Sequence, residues 1–306
     1  MYTAHDQAFR LRDLVRRRLA GSVTVPPLLV PICAGSRKVG ATTVAVVVAE
    51  RLADEGNRVL LVTSENASAE QGDSTEQAAG WQGMLFGNVG LIEAVEPGSR
   101  GILVLQPGNN AGLFGHSGRV ERNGDIVPKL AAILRQQAEA DYVLIDVGAG
   151  CGSWCRAWLD AADAGLLVCS PDSTAIVAGY SWMKSVGAQT VAHSVALVLN
   201  RAADPQVAAD VRRRLEEACR RFLGVSIEWA GRLPEITTSE EGGVPWRRTY
   251  GPLCREAGAI IEHVAERRRR QRTAFSGRSE ATLATRNTAT ALLDDAAQPA
   301  NDGDRS

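Results

Sequence analysis

Nine residues near the start of the chain have the composition of an anion cradle. Gly35-Ser36-Arg37-Lys38-Val39-Gly40-Ala41-Thr42-Thr43 follows an apolar run, Leu28–Cys33, and precedes a helical pattern with Val44–Val48, Leu52 and Ala53 on its apolar side. A second apolar run, Val59–Val62, comes after Gly56. The spacing predicts a strand, a glycine turn, a helix and a strand, a βαβ unit that opens on a phosphate-binding turn. Such a turn works by aiming backbone N–H groups at phosphate oxygens, with the positive end of the helix behind them. The loop fits G-x-x-x-x-G-K-[ST] at Gly35, Gly40 and Thr42, and the Thr42 hydroxyl can ligate Mg²⁺. Ala41 stands where the pattern has its lysine. The missing charge over the outer phosphates matters, since a charge-assisted hydrogen bond is worth roughly 1.5–3 kcal/mol.

The second half of that chemistry lies a hundred residues on. Tyr142-Val143-Leu144-Ile145 reads as a buried strand that ends in Asp146. A carboxylate there can hold the Mg²⁺ shell beside Thr42, the arrangement of a Walker B strand. Cys151 and Cys155 are four apart, a weak metal spacing more in keeping with small buried residues. Cys33, Cys169 and Cys219 also sit in apolar runs, which points to a reducing, cytoplasmic compartment.

Stepping outward, the elements that would position these groups can be read in order. Asp6–Ala20 predicts an amphipathic helix with Ala8, Leu11, Val15 and Leu19 on one face and Gly21 as its C-cap, followed by a proline linker at 22–27. Asn66–Gly80 and Asn109–Gly124 read as loops, Leu91–Val95 as a short helical piece and Gly101–Leu105 as a strand. Ile126–Ala140 is an amphipathic helix, Gly165–Cys169 and Val195–Leu199 are strands, and Ser170–Thr174 caps a helix that starts near Ala175. Asp204–Phe222 is a surface helix carrying Arg212, Arg213, Arg214, Arg220 and Arg221, a solvated face or a basic stripe for an acidic partner. The last helix is Leu253–Arg270, and from Gln271 to Ser306 the composition suits a disordered tail.

Composition narrows the function classes. With 306 residues, 45% hydrophobic, 23% charged and net charge −1, the chain suits one α/β domain with tails, at 28–270. Neutrality argues against strong nonspecific nucleic-acid binding. No apolar run spans a bilayer, and the N-terminus lacks a signal-peptide pattern. Beyond Arg267–Arg270 the large apolar residues Phe275, Leu283, Leu292 and Leu293 are too scattered for an anchoring face, so membrane contact is unsupported.

The loop resembles that of the MinD/ParA family, K-G-G-x-G-K-[ST]. Val39, Gly40, Thr42 and Thr43 match; Ser36 replaces the signature lysine, and Arg37 and Lys38 replace the inner glycines. The family's second strand ends in D-x-D, where this chain has Thr63, Ser64 and Glu65. Asp6-Gln7-Ala8-Phe9-Arg10-Leu11-Arg12 keeps every fixed position of the D-Q-A-x-x-L-R mark of the FlhG/FleN regulators, and Asp146-Val147-Gly148-Ala149-Gly150 is similar to their D-T-G-A-G. Phe222-Leu223-Gly224 and Gly231-Arg232-Leu233-Pro234-Glu235 resemble the same group.

The resemblance implies a doubly wound, mostly parallel sheet flanked by helices, with the nucleotide at the carboxyl ends of the strands. It implies ATP and Mg as ligands, held by Gly35, Lys38, Gly40, Thr42 and Thr43, with Asn200 and Arg201 beside the adenine and Thr42 and Asp146 on the metal. It implies a homodimer, a place at the cell pole, and a partner: the FlhF-like signal-recognition-type GTPase, engaged by Asp6, Gln7, Ala8, Leu11 and Arg12. Three readings stay open at this point. One is a regulator of flagellar number with a degraded site and weak or no ATP hydrolysis. Another is a working ParA/MinD-type ATPase, with Arg37 or Lys38 standing in for the lysines. The third is a pilus localiser of the atypical-loop, CpaE/TadZ-like kind.

Overall fold

The continuous apolar runs of the sequence become the inner strands of a sheet covered on both faces, as buried parallel strands require. The computed structural model describes residues 25–64, 80–108, 124–188, 190–191, 195–235, 245 and 250–276. The N-terminal segment with Asp6, Gln7, Ala8, Leu11 and Arg12, most of the two glycine-rich loops, and residues 277–306 lie outside them.

In chain order, β1 (Leu28–Ala34) leads to α1 (Ala41–Asp54) and β2 (Val59–Thr63). Next come α2 (Gly80–Leu85), α3 (Leu91–Ala94), β3 (Val95–Pro97), a 3-10 turn at Ser99–Gly101 and β4 (Leu103–Leu105). The chain continues through α4 (Val127–Gln137), β5 (Tyr142–Ala149), α5 (Ser153–Ala161), β6 (Gly165–Cys169) and α6 (Ser173–Val186). It closes with β7 (Val195–Leu199), α7 (Pro205–Phe222), β8 (Glu228–Arg232), α8 (Gly251–Glu256) and a final helix, α9, over residues 258–276. The sheet runs β3-β4-β2-β5-β1-β6-β7-β8, parallel throughout except for the short edge pair of β3 and β4.

Alternation along β1 splits the core in two. Leu29 and Cys33 join the apolar cluster under α2 to α7, whereas Leu28, Val30, Ile32 and Ala34 join the one under α1, α8 and α9. Buried Glu50 of α1 would be costly there without partners. It receives hydrogen bonds from Ser99 Oγ, the Tyr250 N–H and Cys254 Sγ, with the Arg100 guanidinium 3.8 Å away. The helix that opens on the glycine loop is thereby fixed to α8 and to the turn before β4.

The final helix returns to the start of the sheet. Buried Arg268 donates to the Pro26 carbonyl at 2.5 Å and stacks over Tyr142, and Gln271 donates to the Pro27 carbonyl. Residues 25–27 therefore lead into β1 at the amino ends of the strands, the end remote from the glycine loop.

Several boundaries differ from the sequence expectation. α9 continues to residue 276 where a tail was expected from Gln271, because Thr273 and its neighbours keep helical bonds, with Thr273 Oγ1 donating to the Arg269 carbonyl. The expected single helix Leu253–Arg270 is two pieces, with Ala257 at a turn between them. Gly80 opens a helix rather than ending a loop, and residues 99–101 form a 3-10 turn, so β4 starts at Leu103. The strand β8 and helix α5 have no counterpart in the sequence reading; α5 is short and β8, E-W-A-G-R, lacks an apolar run.

Candidate nucleotide site

β1 delivers its last residue, Ala34, to the centre of the sheet between β5 and β6. The chain then turns through Gly35–Gly40. Lys38 takes φ +66° and Gly40 φ +86°. That conformation costs a side-chain-bearing residue roughly 1–2 kcal/mol, and at Gly40 a Cβ would also fall 2.2 Å from the amide nitrogen of Asn200. Gly40 is the N-cap of α1 and offers no side chain to its N–H groups; Val44 is the first to bond back, donating to the Gly40 carbonyl at 2.9 Å. The N–H groups of Ala41, Thr42 and Thr43 precede the first intrahelical bond. They have no carbonyl of their own helix to use and are placed for an outside anion.

The structure brings together Thr42 and Asp146, the two residues that the resemblance assigned to a metal. Thr42 Oγ1 donates to Asp146 Oδ2 at 2.6 Å, and the Gly148 N–H approaches Asp146 Oδ1 at 3.3 Å. Asp146 is buried, at 7% exposure. The hydroxyl and carboxylate face each other across the loop, with the carboxylate held from behind. This hard-oxygen donor pair fits Mg²⁺, which keeps several waters and takes few protein ligands. Among the described residues no group of three or more His, Cys, Asp or Glu converges, so an all-protein metal cage is not the pattern here. The turn after β5 is tied in place as well. The Gly150 N–H donates to the Ala34 carbonyl at 2.9 Å, and Trp182 Nε1 donates to the Gly150 carbonyl at 3.0 Å.

The other site residues divide. Gly35 is required for packing: a Cβ there would meet the Ala178 backbone of α6 at 2.6 Å. Arg37 and Lys38 are exposed on the loop, and Thr43 is half-buried on the first turn of α1. Asn200 is buried, 4% exposed, and spends its Nδ2 on the Val39 carbonyl at 2.8 Å. It clamps the loop from the side. Arg201 is exposed with φ +60°. Its charge helps hold the Asp172 carboxyl below the usual range, behind the larger effects of the Ser170 hydroxyl and the Ala175 N–H.

Where the resemblance implied an aspartate, Thr63 pairs directly with Asp146 across β2 and β5. The Thr63 carbonyl accepts from Trp81 Nε1 at 3.0 Å. Trp81 stacks on Trp154, with centroids 5.6 Å apart, and Trp154 meets Trp158 edge-on. This buried trio beside the site was missed in the sequence; Trp154 and Trp158 are four apart, the spacing of one helix face, but Trp81 lies more than seventy residues away and shares no local pattern with them. Cys155 contacts Cys33, with the sulfurs 3.6 Å apart, rather than joining Cys151 at a metal. The Cys33 thiol is pushed well up by that bond, by burial, and by the charges of Cys155 and Asp146.

Comparison with known proteins agrees with this fold. No family model matches the sequence. The chain is 25% identical over 258 residues to the antiactivator FleN of Pseudomonas aeruginosa, covering 79% of this chain and 86% of FleN. The septum site-determining protein MinD of Pyrococcus horikoshii, solved with Mg-ADP, superposes with a TM-score of 0.53 at 18% identity, covering 78% of this chain and 95% of that one. A ParA family ATPase from Chlorobium tepidum gives 0.56 at 15% identity, covering 79% and 99%. The fold is that of the MinD/ParA P-loop ATPases. Within that fold the sequence resembles FleN.

Proposed function

We propose that this chain is a MinD-like regulator of flagellar number and placement that holds Mg-ATP in a worn site, hydrolyses it weakly or not at all, and acts through its N-terminal helix on a FlhF-like GTPase. The observation that carries this reading is the combination at α1: an open helix start and an intact Thr42–Asp146 pair, with no lysine at Ser36 or Ala41. The likeness to an antiactivator supports a regulator over a housekeeping enzyme.

In this reading Gly40 and the N–H groups of Ala41, Thr42 and Thr43 bind the phosphates, Thr42 and Asp146 hold the metal, and Lys38 supplies what positive charge the loop offers. A bound Mg²⁺ would neutralise charge on the outer phosphates. Asn200 keeps the loop in shape, and Arg201 lies at the rim on the adenine side. Thr63 cannot position a water as a carboxylate would. Loss of such preorganised groups commonly costs about 10²–10³ each in rate. Ser36 is too short to reach a neighbour's phosphate, so nucleotide drives a homodimer weakly. The protein works in the cytoplasm, at the cell pole.

The partner is engaged by Asp6, Gln7, Ala8, Leu11 and Arg12. Calorimetric titration of ATP with and without Mg²⁺, together with a turnover assay, tests the site: binding without appreciable turnover is expected. Hydrolysis at the rate of an intact MinD-type ATPase, lost in Asp146→Ala, overturns it. Sedimentation with and without Mg-ATP tests the dimer. The partner is tested with peptide Tyr2–Ala20, the same peptide carrying Gln7→Ala, and residues Leu28–Ser306, each added to the GTPase. Only the first should stimulate fully; stimulation by Leu28–Ser306 alone defeats the assignment.

A further inference from the structure

All six cysteines are free. Cys219 rests against Met183 Sδ, and Cys254 donates to Glu50. Cys33 and Cys155 differ from these. They come from β1 and α5, 122 positions apart in the chain, yet their sulfurs meet at 3.6 Å. Both are buried, and neither the phosphate loop nor the metal pair uses them.

The two thiols flank the turn that follows Asp146. Cys33 lies opposite Gly148 where β1 pairs with β5, and the register slips between Ile32, opposite Asp146, and Cys33. A slip of this kind interrupts the ladder locally, so β1 and β5 can shift there more easily than along a regular pairing. The next residue, Ala34, accepts from the Gly150 N–H, and the Gly150 carbonyl accepts from Trp182. Cys155 stands beyond that turn, in the first turn of α5, whose N-cap Gly152 offers no side chain. A helix start favours a thiolate. The contact with Cys33 lowers the Cys155 thiol, burial opposes it, and Trp182 and the Arg156 charge lower it further. Little side chain stands between solvent and this helix start. A Cβ at Gly150 or Gly152 would meet nothing within 4 Å, and Cys151 between them is half-buried.

We propose that Cys33 and Cys155 form a reversible disulfide when a hydroperoxide reaches them, and that this bond shifts the turn after Asp146 and weakens Mg-ATP binding, the last step resting on the nucleotide role proposed for that site. The Cys155 thiolate attacks the O–O bond, keeps one oxygen as a sulfenic acid and releases the other as water. The Cys33 sulfur then attacks Cys155 Sγ. The S–S bond forms, the S–O bond breaks, and hydroxide leaves as water with the Cys33 proton. Two thiols and one hydrogen peroxide become one disulfide and two waters. The bond draws the sulfurs from 3.6 Å to about 2.0 Å. That closure pulls the end of β1 towards α5 across the turn and disturbs the Thr42–Asp146 contact. A reducing compartment keeps such a bond transient, which suits a switch rather than a staple.

The test treats the full chain with hydrogen peroxide, blocks the remaining thiols with iodoacetamide and maps the peptides by mass spectrometry. A Cys33–Cys155 cross-link should be the main product, and dithiothreitol should reverse it. Hydrogen exchange without nucleotide should show residues 146–152 losing protection in the oxidised form. Mg-ATP affinity should fall about tenfold on oxidation and return on reduction. Cys151→Ser should keep this response. Cys33→Ser should abolish the cross-link and leave Cys155 to oxidise further; the mapping of the unaltered chain decides even where that variant does not fold. Cys33 and Cys155 remaining as thiols, or either one linked to Cys151, overturns the proposal. So does a cross-link that leaves exchange over 146–152 or the ATP affinity unchanged. Failure of the reduced protein to bind ATP would instead defeat the nucleotide reading, and the cross-link and the exchange would still decide the switch.

Discussion

Two helices start at the carboxyl ends of adjacent strands, and they start differently. α6 follows β6 and is capped by its own chain: Asp172 accepts from the Ala175 N–H at 2.8 Å and is braced by the Ser170 hydroxyl. α1 follows β1 and begins at Gly40, with no side-chain cap. The protein supplies an anion to one helix start and leaves the other open. A carboxylate cap satisfies orphan N–H groups and the helix dipole together. Leaving α1 without one costs stability that a phosphate would return on binding. The difference is the one that the proposed nucleotide site expects between a structural helix start and a ligand-binding one, although both open from glycine- or serine-containing turns in the sequence.

The sharpest way to press that comparison is to restore what α1 lacks. Ser36→Lys with Ala41→Lys should raise ATP turnover by about 10²-fold or more, the scale on which preorganised charge acts at a transition state; a steady-state phosphate-release assay reads it. An unchanged rate would place the defect at Thr63 instead. The next effect is structural. Gly40→Ala meets both the positive φ and the Asn200 amide, so it should lose about 2–3 kcal/mol of stability and abolish ATP binding. Denaturant unfolding and titration check both outcomes.

Asp146→Asn keeps the shape of the strand end but removes the charge facing Thr42. It should erase the Mg²⁺-dependent part of ATP affinity, a loss of about tenfold, while binding in EDTA stays nearly constant. At the other helix, Asp172→Ala should lower stability by about 1 kcal/mol, the usual cost of a lost cap, and leave ATP affinity unchanged. A drop in ATP affinity would break the division between the two helix starts.

The smallest effect is a pH dependence at the capped end. The Asp172 carboxyl is held below its usual range, first by the Ser170 hydroxyl and then by the Ala175 N–H. Its contribution is complete above the unfolded carboxylate pKa, near 3.9, and is lost as pH falls through the lowered folded value. Thermal melts between pH 5 and 3 should therefore decline less steeply in Asp172→Asn, which keeps an acceptor but no titrating group. No such difference belongs to α1, whose start carries no carboxylate cap.

Much of this could be read from residues alone, for reasons that differ by element. The strands Val195–Leu199 and Gly165–Cys169 match their apolar runs to the residue, because a strand buried on both faces has no polar position to blur its ends. The glycine loop was legible because chain conformation and ligand chemistry both restrict residue type there. β8 was not, since E-W-A-G-R follows neither period and becomes a strand only by pairing with β7. The final helix was read short because its last turns are polar, whereas buried Arg268 and Gln271 beyond it are held by the Pro26 and Pro27 carbonyls.

The sequence by itself determined the long apolar strands and amphipathic helices, the place of the glycine turn, the identities of Thr42 and Asp146, and the absence of the lysines, since these follow from local periodicity and from the identity of single side chains. Tertiary structure alone decided what those side chains touch. It made Asn200 a clamp on the Val39 carbonyl, gathered Trp81, Trp154 and Trp158 beside Thr63, and set Cys155 against Cys33. Each of these joins residues far apart in the chain, and no local pattern encodes the distance between two strands until the sheet has formed.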